Sequence, residues 1–488
     1  MTNRFEDFSI GDRIVFHRQF TMDDFAAFAK LSGDRNALHH NNVHAAAAGF
    51  GNPIVPLHLT AAPLSMVAGM VFPGEPSLYL RHEVRALHPV FYGDTLAYSA
   101  RIESIQDAQR TLVLRVIAIR GSLVVLDAHM DVRCTADVWQ MDSGFEIICG
   151  AARACAVITG ATGAIGSATA LALGIRGWRL LLQDRGDDIR RNRLRSVMER
   201  KGIMAEFIAA DLTTEAGRQS LAAAAGRRAD VEALVCCASP RTDASLEALI
   251  DVNYRALQLV SNAVFPVMLA RQRGSVVLIG STAMNYSIAE MEDYAAAKTM
   301  ATTVVSRIER NGAAYGVRGF TLMPGFVATE FSSGLRGDIA ALTPEEVAEA
   351  TVELIENTPA HNALVIEVGR QTPGGFGFYR VAAHTMGVPK VAYTDQPESV
   401  NLSEELGKSR LDEVASEVVT RELRPFVVEN LNDAGLGLTP GWDSFKQIEI
   451  VLALESALGV KFSSEELVQI TRFDKLADAC RRKARAKP

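Results

Sequence analysis

The rhythm of apolar and polar positions changes twice along this chain. In the first part, Met22–Leu31 carries Phe25, Phe28 and Ala29 at helical spacing, and a second apolar helix is predicted over Leu57–Val71. Strand-like stretches follow at Ser77–Leu87, Thr95–Ser104, Arg110–Ile119 and Ser122–Val132. That order predicts one long helix wrapped by an antiparallel sheet. After a break near Val138–Gly150, short apolar runs alternate with helical segments. The runs are Ala154–Thr159, Arg179–Gln183, Met204–Ala210, Ala233–Cys237, Ser275–Gly280 and Arg318–Met323. This alternation predicts an α/β doubly wound parallel sheet. Gln371–Glu404, rich in Gly, Pro and polar residues, reads as a linker or a partly ordered arm. Beyond it, Leu411–Arg424, Phe445–Leu458, a turn near Glu465–Ile470 and Phe473–Lys483 predict a small all-α domain. The expected divisions are therefore 1–140, 150–370, a 371–404 linker and 405–488.

Bulk properties narrow the class. At 488 residues the chain is too long for one core. It is 48% hydrophobic and 22% charged, and its formal charge of -7 gives no nucleic-acid footprint. Six cysteines show neither metal nor disulfide spacing, so no metal is expected and the thiols suit a reducing compartment. The polar start Met1–Asp7 does not read as a signal peptide. The longest apolar stretch, near Leu57–Phe72, is short and holds His58 and Pro63, so no membrane span is expected. A cytoplasmic protein is the expectation.

The middle part carries the densest chemistry. Thr159-Gly160-Ala161-Thr162-Gly163-Ala164-Ile165-Gly166 joins a predicted strand to a predicted helix. Glycines let a backbone approach a pyrophosphate, and the helix start offers free N–H groups to it. Asp184, ending the next strand, is positioned to bond a ribose diol. Ser281 follows a later strand, and Tyr294 and Lys298 stand four apart on one helical face, where an ammonium can lower the phenol pKa. A plain exposed helix would carry the same pair.

Together these motifs resemble the short-chain dehydrogenase/reductase family over roughly residues 150–370. The resemblance implies Ser281 as carbonyl-orienting residue, Tyr294 as proton donor, Lys298 as ribose ligand and Tyr activator, and Asn253 as proton relay. It implies Asp211 as the adenine contact, and Pro324-Gly325 with Thr329 as the nicotinamide-side loop. Cys236-Cys237-Ala238-Ser239 departs from the family's Asn-Asn-Ala-Gly, and Ala164 replaces a common glycine. Asp184 would repel a 2′-phosphate and Arg185 could bind one; the balance leans to NAD(H) over NADP(H).

In the first part, Ser32-Gly33-Asp34-Arg35-Asn36-Ala37-Leu38-His39 sets an Asp and a His on one loop, able jointly to hold and deprotonate a water. Turn residues and a helix start are the plainer reading. This segment, with Gly49–Val55 and Pro89–Thr95, resembles the MaoC-like (R)-specific enoyl hydratase family, of α+β hot-dog fold, over roughly 5–135. The resemblance implies that Asp34 and His39 add water to, or remove it from, an acyl thioester. Pro56-Leu57 stands where the family has His-Gly.

Gly441-Trp442-Asp443-Ser444-Phe445 lies between a turn and a helix, where Ser444 reads as an N-cap. The surrounding short helices resemble an acyl carrier protein. That implies 4′-phosphopantetheine on Ser444 and a phosphopantetheinyl transferase as partner. The combined expectation is a trifunctional enzyme that reduces a 3-oxoacyl group on its own arm and dehydrates the product, served by an upstream synthase or a downstream acyltransferase. The reverse, hydration then NAD-linked oxidation, is one alternative. A carrier scaffold with a structural hot-dog domain is another. A homo-oligomer is implied by resemblance.

Overall fold

The computed structural model describes residues 2–135, 138–140, 144–150, 154–284, 291–329, 341–357, 365–372 and 375–381. Toward the C-terminus it describes 415–416, 418–419, 450, 454 and 472–485. The chain divides into two units, Met1–Tyr393 and Thr394–Pro488.

The first unit opens with β1 (Thr2–Arg4), β2 (Arg13–Arg18), α1 (Met22–Ser32) and α2 (Asn42–Ala47). The predicted Leu57–Val71 helix is present in pieces: α3 (Leu57–Ala61), α4 (Pro63–Met66) and a π turn over Val67–Val71. Pro63 has no N–H to continue α3, so the run restarts there. Then come β3 (Ser77–Ala86), β4 (Leu96–Gln106), β5 (Thr111–Arg120), β6 (Leu123–Cys134) and β7 (Val138–Gln140). β2, β4, β5, β6 and β3, in that order, form one antiparallel sheet, while β1 pairs with β7.

Antiparallel sheets commonly leave one face to water. Here β5 buries both. Leu112, Leu114, Val116 and Ala118 pack in one core with Leu59, Leu64 and Val67 of the helical run. Ile117 and Ile119, with Val124 of β6, belong to a second core that continues into the rest of the unit.

That remainder runs β8 (Cys155–Thr159), α5 (Ala164–Ile175), β9 (Arg179–Asp184), α6 (Asp188–Arg200), β10 (Ala205–Ala209), α7 (Glu215–Gly226) and β11 (Val231–Cys236). It continues with α8 (Leu246–Ile250), a π turn (Asp251–Arg255), α9 (Ala256–Arg271), β12 (Gly274–Ile279) and α10 (Glu292–Gly312). β13 (Val317–Pro324), α11 (Pro344–Glu356), β14 (Val365–Thr372) and β15 (Gly375–Val381) complete it. Strand order β10-β9-β8-β11-β12-β13-β14-β15, parallel except for β15, is that of a doubly wound sheet. The predicted linker is corrected at its start. Gln371 and Thr372 end β14, and Gly375–Val381 turns back as β15 against it. Alternating glycines in Gly375-Phe376-Gly377-Phe378 hide the strand pattern. Residues 382–404 lie outside the described residues.

The two folds of this unit meet through α9, whose Val260, Val264 and Met268 share the core of Ile117 and Ile119. Polar contacts set the register. Glu232, 3% exposed, accepts from Arg13 Nη2 (2.9 Å) and Arg271 Nε (2.8 Å), with Arg273 Nε at 3.3 Å. Gln272 Nε2 donates to Ser99 O (3.1 Å) and Ser99 Oγ (3.0 Å). Its backbone has a left-handed φ of 48°. Arg115 spans the same seam, donating to Ala314 O and stacking 4.9 Å above the Tyr315 ring.

In the second unit, Ala415, Val418, Val419, Ile450 and Leu454 are helical and buried. The terminal helix Phe473–Arg485 buries Leu476, Ala479 and Cys480. Ser444 lies outside the described residues.

Removing one member of a buried ion cluster strands the others without a counter-charge. Glu232→Ala is therefore expected to lower stability by about 3–5 kcal/mol in urea unfolding, and adding Arg13→Met should recover part of that. A loss below about 1 kcal/mol would show that the seam does not depend on the cluster.

Candidate functional site

Local chain chemistry builds the glycine turn. Thr159 ends β8, and Gly160 follows at φ 63°, a left-handed conformation suited to glycine. A Cβ there would lie 2.7 Å from Ala238 Cα, and one on Gly166 would lie 2.2 Å from Gly160 O. Gly163 is the N-cap of α5, which has no side-chain cap, so the first N–H groups of the helix, including those of Ile165 and Gly166, have no capping side chain. This glycine-lined cradle at a helix start fits a dinucleotide pyrophosphate.

Gln183, which sequence reasoning passed over, holds the cradle in place. Its Oε1 accepts from Gly160 N (2.8 Å) and its Nε2 donates to Ala210 O (2.7 Å). Its placement one residue before Asp184 was the available signal. Thr159 Oγ1 accepts from Ala238 N (3.2 Å), so the divergent Cys236-Cys237-Ala238-Ser239 segment still packs on the turn. Burial pushes both thiols up to about 12, which leaves them protonated and inert. Asp211 accepts from Thr213 N (3.0 Å) and starts the turn into α7, with its carboxyl held below the ordinary value by those bonds. Asp184 ends β9 with its carboxylate already engaged, and exposed Arg185 follows.

Tyr294, Lys298 and Ser281 converge at the ends of β12 and α10. Lys298 is 2% exposed and donates to Ile279 O (2.7 Å), with Nζ 5.8 Å from the Tyr294 ring centre. The expected lowering of the phenol pKa is corrected by the environment. Burial dominates and pushes Tyr294 up to about 12, opposed only by the Ser239 and Ser281 hydroxyls. Burial likewise pulls Lys298 down to about 8. Ser239 is a second residue that sequence reasoning missed, since it stands where a glycine was expected. Ser281 Oγ also accepts from Ala283 N (3.1 Å). Asn253 sits in the π turn, 2% exposed; its Nδ2 donates to Leu249 O (2.9 Å), and its Oδ1 is buried without a partner. Pro324 closes β13, and Gly325 and Thr329 follow as the loop beside it.

A second constellation lies in the antiparallel part. Gly33 ends α1 in a left-handed turn (φ 79°) and releases Asp34 from the helix. Asp34 Oδ1 accepts from Asn36 N (3.0 Å), which is the turn role. Asp34 Oδ2 faces His39 Nε2 at 3.7 Å, too long for a direct hydrogen bond. His39 Nδ1 lies 2.7 Å from Ile54 O, and because a carbonyl only accepts, Nδ1 carries the proton. Nε2 and Oδ2 are then two acceptors flanking one position, the arrangement that holds a water by its two O–H bonds. One oxygen of Asp34 thus serves the turn, and the other is left facing His39.

Tyr92 belongs here too. Ile54 bridges Phe91, one residue before it, and Phe25 packs against His39 (6.0 Å) and Tyr92 (6.5 Å). Its hydroxyl is buried without a partner, and burial, then the charge of Asp34, pushes it up to about 12. Leu57 is the first residue of α3, which lacks a side-chain cap. Among the described residues no cluster could hold a metal, and no helix is long and apolar enough to cross a membrane.

Comparison with known proteins follows the same division. Residues 154–340 match the short chain dehydrogenase family, and residues 8–119 match the MaoC like domain. An uncharacterized oxidoreductase of Staphylococcus haemolyticus is 30% identical over 218 residues, 42% of this chain and 92% of that protein. An (R)-specific enoyl-CoA hydratase of Aeromonas caviae is 31% identical over 122 residues, 25% of this chain and 91% of that protein. An NADP-dependent 3-hydroxy acid dehydrogenase of Salmonella typhi is 29% identical over 227 residues, 42% of this chain and 90% of that protein.

Lys298→Met should stabilise the protein at pH 7 by about 3 kcal/mol while abolishing carbonyl reduction. The folded value of about 8 lies below the ordinary 10.5, so the charged buried lysine is penalised fully below pH 8 and less as pH rises toward 10.5. Urea melts across that range should show the gap between variant and parent closing. Tyr92→Phe should stabilise the protein slightly, since the hydroxyl is buried without a partner, and slow water addition to a 2-enoyl thioester about 10-fold. Equal rates would place the hydroxyl outside the reaction.

Proposed function

We propose, for a chain that belongs to the short chain dehydrogenase family over residues 154–340 and to the MaoC-like family over residues 8–119, that it reduces a 3-oxoacyl thioester and dehydrates the (R)-3-hydroxyacyl product. The chain is an oxidoreductase that also carries a hydratase domain. The finer reading places the acyl group on phosphopantetheine at Ser444 of a carrier domain over residues 405–488. Supporting the reduction and dehydration steps is the presence, in one unit, of a phenol that burial keeps protonated at Tyr294 and of the Asp34–His39 pair.

A nicotinamide nucleotide held at the glycine turn of Gly160, Gly163 and Gly166 would supply the hydride for the carbonyl carbon. Ser281 donates to the carbonyl oxygen and orients it, and Tyr294 delivers its proton there as the alcohol forms. A phenol pushed up by burial keeps its proton at neutral pH, as delivery to the carbonyl oxygen requires. Lys298, at about 8, lies near enough to working pH to return a proton to the tyrosine. In dehydration, Asp34 and His39 together take one proton from Cα and return one to the departing β-hydroxyl. Water leaves and the pair ends unchanged.

The carrier reading adds proximity: a tether through residues 382–404 raises the concentration of the acyl group at each site without tight binding. A phosphopantetheinyl transferase, a synthase or acyltransferase that exchanges acyl groups, and a second copy of the chain are the partners this reading calls for.

Incubation with coenzyme A and a phosphopantetheinyl transferase should add the arm's mass to the wild type but not to Ser444→Ala. No gain in the wild type removes the carrier from the scheme. His39→Ala should lower dehydration on the order of 100-fold and leave reduction intact; unchanged turnover would make the first domain structural.

A further inference from the structure

The carboxylate that ends β9 is out of a ribose's reach. The Asp184 side chain is 0% exposed. Its Oδ1 accepts from Gly186 N (2.6 Å) and Arg191 Nη2 (2.6 Å), and its Oδ2 accepts from Arg191 Nε (2.7 Å). This is a bidentate guanidinium–carboxylate pair, the strong charge-assisted kind. The start of α6 delivers the guanidinium: Asp187 caps the helix through Ile189 N and Arg190 N, and Arg191 follows in the first turn. Arg191 Nη1 also holds Asp188 Oδ1 (2.9 Å), and Arg190 pairs with Asp187 at 3.4 Å. Two arginines thus serve three acids at this helix start, with Arg191 shared by Asp184 and Asp188. Arg191 keeps 15% of its side chain exposed, so it, rather than the carboxylate, meets what lies above. Arg185 is exposed beside it, close enough for its charge to act on Asp211.

A ribose diol binds a carboxylate by donating O–H bonds to free oxygen lone pairs. With both Asp184 oxygens taken and shut from solvent, the diol finds no acceptor unless Arg191 leaves. A carboxylate neutralised by a guanidinium also no longer repels a phosphate as a bare one does. We propose that Arg191 sets nucleotide choice in this protein: by clasping Asp184 it removes the diol acceptor, and its outer edge, with Arg185, receives a 2′-phosphate, so that NADPH is the bound form. The assignment rests on the reading of residues 154–340 as a nucleotide-dependent reductase.

Equilibrium binding of NADPH and NADH to the full chain, followed by calorimetry without substrate, tests it. The wild type should bind NADPH at least about 10-fold more tightly than NADH, the scale of one charge-assisted hydrogen bond. Arg191→Met should bare Asp184, weaken NADPH about 10-fold or more and narrow or invert the preference; adding Asp184→Asn should restore NADPH in part. Arg185→Ala, on an exposed side chain, should weaken NADPH alone. A wild type that prefers NADH, or an Arg191→Met preference within about 2-fold of wild type, overturns the assignment while leaving the reductase reading standing. If neither nucleotide binds the wild type, the reductase reading falls and the assignment falls with it.

Discussion

Glu232 sits where the antiparallel and parallel folds of the first unit meet, and the register between them depends on it. It is a buried carboxylate on β11, reached by Arg13 from β2 and by Arg271 and Arg273 from the end of α9 and just beyond. Apolar packing between α9 and the sheet is non-directional and tolerates sliding. A carboxylate that must satisfy several guanidinium groups does not tolerate it, because a shift leaves a charge buried without a partner. Gln272, donating across the same seam to Ser99, adds a second fixed point. The apolar surfaces thus supply the contact and the polar groups its register.

Desolvation is the other constraint, and it acts on both sites in the same direction. Tyr294 and Tyr92 are each held protonated at about 12, and Lys298 is pulled to about 8. A lysine that gives up charge stability to sit in a dry site is poised near neutrality, which an exposed lysine is not. At the Asp34–His39 pair the tautomer of His39 follows from one backbone carbonyl, so the nitrogen that faces Asp34 is set by the chain path through Ile54.

Much of this was legible in the residues. The glycine turn, the four-residue spacing of Tyr294 and Lys298, and the Asp34–His39 loop are local patterns, and the structure brings each set together. The direction of the Tyr294 shift was not legible, because spacing shows a neighbouring ammonium but not the depth at which both groups lie. Gln183, Ser239 and Tyr92 were missed for a related reason: each is an ordinary residue made significant by what it faces. The linker start was misread because Thr372-Pro373-Gly374-Gly375 signals a turn equally well between domains and within a hairpin.

By itself the sequence determined two folds in series and the local motifs of their candidate sites, since short-range spacing on strands, helices and turns needs no knowledge of distant partners. Tertiary structure alone decided the second buried face of β5, the clasp of Arg191 on Asp184 and the seam at Glu232. Arg13 and Glu232 are 219 residues apart in the chain, and no periodicity encodes a pairing at that distance. Arg191 is only seven residues from Asp184, yet its direction is chosen by the turn that starts α6. What a charged group does depends on which partner reaches it in a dry environment, and only the folded chain settles that.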